Sequence, residues 1–499
     1  MKRIVILSLL LAQMSLRAQE VKQFSLQEAL AFTEQNNLSY LNAQYDVQIA
    51  KETVKQTTSY GLPQVSASAG FQQYLTIPGN WVNNFTKTPG SSAPDFIFLR
   101  FQQEFSSNAA FSVSQLLFDG TYMVGLRASK AFIGMNDLLK QRALRDAQLN
   151  VAKAYVTAVS TRKNLDLIQT NITLLEKSLY DVTEMNKEGF VESLDVDRLT
   201  LSLRNLQLQK EKLENAILIT KNALKMQMGL SLETEIELTE DLEKLENSLS
   251  IDDIAKSSFS SSNRIEHKLL EQSITLGDLD KQRYKASSLP SVVGFYQNQK
   301  STLRSEFNFF QSNLPVNNSW VPSSVYGFNL RVPIFAGGLT QSKIRETNIK
   351  IEKAKNDMAN FDRYAAFEYT NAINNYEVNI QQAINQKENL VLAQKIYDKA
   401  NLKYKEGVGS TLEIIQAETE LRTANNNYMN AIYDLVISKI DYRTTTGTPL
   451  KYKIHETQHH IIQCIGHFGH QRMRRQEDRR RKQPGQIRRI KKRNCQITI

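Results

Sequence analysis

Near the end of the chain His455-Glu-Thr-Gln-His459 spells H-E-x-x-H. On a helix that spacing sets two imidazoles on one face for a zinc ion, with the glutamate as general base of a metalloprotease. His467, His470 and Cys464 are near enough in sequence to complete a metal site on paper. The surroundings argue against it. Five of the six histidines and both cysteines fall between Lys453 and Ile499, beside 13 Lys+Arg and 3 Asp+Glu. A chance match is expected in so histidine-rich a stretch, and its few apolar residues cannot build a substrate cleft. No catalytic residue, metal site or cofactor is expected, and the chain reads as no enzyme.

The same tail accounts for the charge of the whole. The chain carries +11 and the tail +10, which leaves residues 1–452 nearly neutral and without cysteine. The basic run Arg472 to Arg493 would bind polyanions by charge alone. A nucleic-acid role conflicts with the other end of the chain, which begins MKRIVILSLLLAQMSLRAQE. Basic Lys2 and Arg3, a short apolar core and a small residue at Ala18 predict a secretory signal peptide over residues 1–18. Residues 453–499 are expected to be a disordered basic tail, so unlike the body that a shifted reading frame would explain it. No apolar stretch reaches the roughly 20 residues that a spanning helix needs.

What organises the body is duplication. Leu116-Leu-Phe-Asp-Gly120 answers the stretch Val332-Pro-Ile-Phe-Ala-Gly-Gly338, and Gly120, Gly189 and Gly229 recur as Gly338, Gly407 and Gly447. Leu62-Pro63 answers Leu289-Pro290. The reading is a first repeat at 19–230, a connector at 231–250 and a second repeat at 251–452. Each repeat should run helix (Leu26 to Tyr60, Asp252 to Ala286), strand, loop, strand, long helix, short break, return helix. The second strand, Ser324 to Phe335, is expected to pass into its long helix without a loop.

The strands offer about ten residues of two-residue alternation, the length of a tilted membrane strand. Their loops hold Trp81 and Trp320, residues suited to a membrane interface. In the long helices apolar and small residues recur in steps of three and four. One seam runs Leu144, Ala147, Val151, Ala154, Ala158 to Val182, and the other Tyr369, Ala372, Tyr376 to Ala400. That period packs helices side by side over many turns. Four strands cannot close a barrel, and an open edge cannot face lipid, so strands that enter a bilayer require several chains to share one barrel. A periplasmic coiled-coil scaffold with a soluble β-domain is the alternative, separable by fractionation.

The signal peptide, the duplicated plan, the strand ends at Phe118-Asp-Gly120 and Phe335-Ala-Gly-Gly338, and the breaks Gly189-Phe-Val-Glu-Ser-Leu-Asp195 and Gly407-Val-Gly-Ser-Thr-Leu-Glu413 together resemble the outer membrane efflux protein family of TolC-like channels. The resemblance covers about residues 24–450. It implies a mixed α/β, mainly α fold: a homotrimer with a 12-stranded β-barrel, four strands per chain, continuous with a periplasmic α-helical barrel. It implies a Gram-negative outer membrane, and partners in a periplasmic adaptor and an inner-membrane pump. Adaptor contacts would fall on the tip turns Gly189, Phe190, Val191, Gly407, Val408, Gly409 and Ser410. Glu413 and Gln416 match pore-ringing positions, with Asp195 as the first-repeat counterpart of Glu413. Carboxylates crowded round a pore attract cations. Pro63, Gly120, Pro290, Pro333, Gly337 and Gly338 mark the strand–helix joints.

Overall fold

The computed structural model describes residues 21–248, 259–311, 319–406 and 408–447. The leader at 1–18, Gly407 and the tail with its H-E-x-x-H lie outside the described residues. The first repeat comprises β1 (Lys22–Phe24), α1 (Leu26–Asn36), α2 (Leu38–Ser59), β2 (Gln64–Gln73), β3 (Asn80–Asn83), β4 (Phe96–Leu99), β5 (Phe105–Asp119), α3 (Gly120–Lys187) and α4 (Ser193–Met228). The connector holds β6 (Ile236–Leu238) and α5 (Leu242–Ser248). The second repeat comprises α6 (Ile265–Ala286), β7 (Ser291–Arg304), β8 (Val321–Arg331), α7 (Leu339–Lys405) and α8 (Thr411–Thr445).

Duplication is visible in the elements themselves. α2 and α6 each have 22 residues, and α3 and α7 have 68 and 67. At 1.5 Å rise per residue each long helix is about 100 Å long. α3 packs along α4, α7 along α8, and the two halves meet where α6 lies against α3 and α7. Both expected seams face these contacts: Ala147, Val151, Ala158, Ile168, Ile172, Leu175 and Val182 are buried, as are Ala372, Ala383, Ala393 and Ala400.

Three expectations need correction. The helix expected from Leu26 to Tyr60 is two helices, broken at Asn37, whose backbone is extended. Its side chain caps α2 through the Tyr40 amide at 3.0 Å and donates to the Gln227 carbonyl at 2.7 Å. The helix expected from Asp252 begins, among the described residues, at Ile265. Ser261–Asn263 form a single 3-10 turn and Arg264 is extended, because serine and asparagine hydrogen-bond their own backbone in preference to a helix. Finally, β8 stops at Arg331 and α7 starts at Leu339, so a seven-residue link separates them. Pro333 has no amide to donate to a ladder. The first repeat does make the direct passage, from Asp119 of β5 to Gly120 of α3.

The four long strands form one sheet in the order β2-β5-β7-β8, antiparallel throughout, with one register shift between Leu116 and Phe118. Its register sorts the side chains. Val65, Val113, Tyr296 and Tyr326 share one cross-strand row, and Ala67, Phe111, Asn298 and Ser324 the next on that face. Phe328 and Leu330 continue the face, exposed by 70% and 57%. The other face carries Ser66 and Ser112, whose hydroxyls lie 2.8 Å apart, with Gln297 in the same row. The outer strands β2 and β8 each leave a ladder edge unpaired within the chain. Two small pairings were not foreseen: parallel β1–β6 and the hairpin β3–β4, on which Trp81 packs against Phe98 at 5.4 Å.

Candidate functional site

The first tip turn closes α3. Gly189 has φ +82°, the Phe190 amide donates to the Met185 carbonyl at 2.9 Å, and the Gly189 amide to the Asn186 carbonyl at 3.0 Å. This double bond to the last carbonyls is the Schellman end, and its left-handed residue is free of strain only as glycine. Phe190 stands 78% exposed, while Val191 turns back onto the apolar cluster of Ile168, Ile172, Leu175, Val182, Leu199 and Leu206. Asn186 fastens the turn by donating to the Val191 carbonyl at 2.6 Å.

The second turn repeats the outer bond: the Val408 amide donates to the Lys403 carbonyl at 3.0 Å, and so does the Gly409 amide. A Cβ on Gly409 would sit 2.9 Å from the Tyr404 nitrogen, so this glycine serves close approach. Val408 is 80% exposed. Ser410 caps α8 through the Glu413 amide at 3.2 Å. Its first-repeat counterpart, Glu192, makes no side-chain cap bond.

The three residues expected at the pore divide. Glu413 and Gln416 line one groove of about 340 Å³ with Lys399, Lys403 and Glu420, and Asp195 is not part of it. Neither acid stands alone. Lys403 donates to Glu413 at 2.9 Å, Arg198 reaches Asp195 at 3.5 Å, and Gln416 donates to Glu420 at 3.3 Å. These are exposed pairs, with side chains 58% and 45% accessible for Lys403 and Glu413, so each contributes about 0–1 kcal/mol. Sequence reading missed Lys403 because it lies ten residues from Glu413 across the turn. It also missed Glu418, whose carboxyl pKa is pushed up by burial against the lowering effect of Arg422.

The tips of the two repeats touch. Tyr404 and Ile415 pack on the first-repeat cluster, and the Tyr404 hydroxyl donates to Met185 Sδ at 3.3 Å. Between them lies a cavity of about 240 Å³, lined by Val182, Met185 and Leu199 on one side and by Asn401, Tyr404 and Ile414 on the other.

The joints also separate by physics. Gly120 opens α3, and a Cβ there would come within 2.8 Å of Leu289 Cδ1, so it lets the second repeat approach. Gly337 and Gly338 have φ +60° and +82° and meet nothing within 4 Å, so they are glycine for conformation. Pro63 and Pro290 stand immediately before β2 and β7.

A four-stranded sheet carried on two tandem helical hairpins is the fold that this chain shares with solved outer membrane channels. Residues 284–448, within the second repeat, match the family model described as Outer membrane efflux protein. It is 21% identical to Outer membrane protein TolC of Escherichia coli over 354 residues, covering 69% of this chain and 70% of that protein. Against TolC of Vibrio cholerae it is 21% identical over 417 residues, covering 80% and 85%. Among solved structures, the CmeC outer membrane channel of Campylobacter jejuni matches with TM-score 0.65 at 16% identity, covering 88% of both chains. CusC matches with TM-score 0.64 at 15% identity, covering 85% of this chain and 92% of that one.

Proposed function

We propose that the chain is the outer-membrane exit duct of a tripartite efflux or export system. The observation that supports this most directly is the sheet. Along β7, from Ser291, level with Asp119 and Arg331, nine residues pass before Lys300, and no strand carries a charge between those levels. At 3.3 Å per residue and a tilt near 40° that is about 23 Å of height, close to the apolar band of an outer-membrane barrel. One face of the band is mainly apolar and exposed, apart from Asn298 and Ser324, the other mainly polar apart from residues such as Val325, and both edges are open. Lipid cannot satisfy those edges, so further copies must. Three chains supply twelve strands, with the polar face inward.

On this reading the long helices carry the same wall across the periplasm, and the tip turns meet a periplasmic adaptor through Gly189, Phe190, Val191 and Gly407 to Ser410. The groove of Glu413 and Gln416 faces the constriction, with Asp195 as the first-repeat counterpart of Glu413, and the joint residues redirect barrel into tunnel. The duct is passive, driven by an inner-membrane pump. Reconstitution in planar bilayers tests it. Conductance is expected from the detergent-extracted protein, with cation preference reduced in Glu413→Gln; a chain recovered from the soluble periplasm that never conducts overturns the proposal in favour of a scaffold.

A further inference from the structure

The apolar face of the sheet holds two cations near its loop end, Lys300 and Arg304. Lys300 is exposed, and its cross-strand row consists of Ala69, Ala109 and Pro322. Arg304, on the same face of β7, is only 1% exposed. Its guanidinium is held by Asn308 Oδ1 at 3.1 Å, by the Thr302 hydroxyl at 3.4 Å and over the Phe309 ring at 4.9 Å. A cation placed among neutral groups leaves a positive potential at its surface.

Beside Lys300 the same face is hollow. Ala67, Ala69, Ala109, Phe111, Asn298 and Lys300 line a shallow, open trough of about 490 Å³. Toward the loops it is bordered by an aromatic cluster in which Phe71 packs against Phe307 at 5.4 Å and Phe309 at 5.5 Å.

The combination selects its ligand. A free inorganic anion has no use for an apolar floor, and an acyl chain alone has no use for a lysine. An amphiphile with a phosphate at the membrane surface fits both. Lys300 stands about 23 Å above the helix end of the band, at the rim of the hydrocarbon layer, where a lysine extends into headgroups at small cost. We propose that this surface binds a phosphorylated lipid of the outer leaflet, its phosphate on Lys300 and one acyl chain along the alanine trough. The proposal rests on the membrane reading above.

Native mass spectrometry of the full detergent-extracted protein tests it, with diphosphorylated lipid A and its dephosphorylated form as probes. The wild type should retain the phosphorylated lipid. Lys300→Gln should lose it by about tenfold while Lys300→Arg keeps it, since a charge-assisted bond to phosphate is the strong contact. Ala109→Leu, which fills the trough and leaves the charge, should weaken retention as well. Equal retention of both lipids, or wild-type retention by Lys300→Gln, overturns the lipid site and leaves the duct standing. A soluble monomer overturns both.

Discussion

At the scale of single residues, the best-defined electrostatics lie far from the tip. Arg145 of α3 meets Glu266 of α6 at 2.6 Å, and Arg264 meets Glu368 of α7 at 2.6 Å. Burial works to raise the Glu266 pKa, but the Arg145 hydrogen bond, a backbone hydrogen bond and the charges of Arg145 and Arg264 outweigh it and bring it to about 2. A carboxyl depressed by folding stabilises above its ordinary value near 4.5 and loses that contribution as pH falls toward the folded value. Glu266→Gln should therefore melt lower at pH 7, by about 2 kcal/mol for a pair that retains some solvent access. The gap should close as pH approaches 2; a difference independent of pH would show that the charge is not its source. Gly189→Ala places a side chain at φ +82° and should cost about 1–2 kcal/mol, confined to the tip and read as faster amide exchange at Phe190. Gly189 was legible because a turn between antiparallel helices needs a left-handed residue. The reason for Gly409 was not, since it depends on how closely Tyr404 approaches.

At the scale of elements, the period of the seams was enough to pair α3 with α4 and α7 with α8. It could not show that α3 is buried on further sides. Tyr155 is fully buried, with its hydroxyl donating to the Phe24 carbonyl at 2.9 Å, because β1, β6 and α1 gather at that level. Three-residue strands are too short to leave a periodic signature. The break at Asn37 had a sequence signal that was passed over: an asparagine three residues ahead of the amide it caps. In both repeats the glycine that ends the return helix fits against this region. A Cβ on Gly229 would lie 2.2 Å from the Asn36 oxygen, and one on Gly447 3.1 Å from the Asn263 oxygen. Asn37→Ala removes the cap and the bond to Gln227, and should lower stability by about 1–2 kcal/mol. An unchanged melting temperature would mean that the break is held by Gly229 instead. The joints were only half legible. Pro333 and the Gly337-Gly338 pair stop a strand and start a helix by different chemistry from Asp119-Gly120, although the sequence aligns them.

At the scale of the whole molecule, the sheet decides. Phe328→Arg places a cation on the exposed apolar face, against a cost of about 2–4 kcal/mol near the middle of a bilayer. It should strongly reduce the protein recovered in outer membranes, whereas Ser112→Lys on the polar face should be tolerated. Equal recovery of the two variants would mean that the faces are assigned the wrong way round. The duplicated plan was readable from the recurring glycines, and the proposed sharing of a barrel rests on four strands whose outer edges are unpaired within the chain. Which strand would pair across each open edge was not readable from the sequence, because edge hydrogen bonds carry no side-chain code. The most direct test is the mass of the particle released by mild detergent, determined by light scattering with the detergent contribution subtracted. The account predicts three chains per particle. A single chain, stable in buffer without detergent, would contradict it.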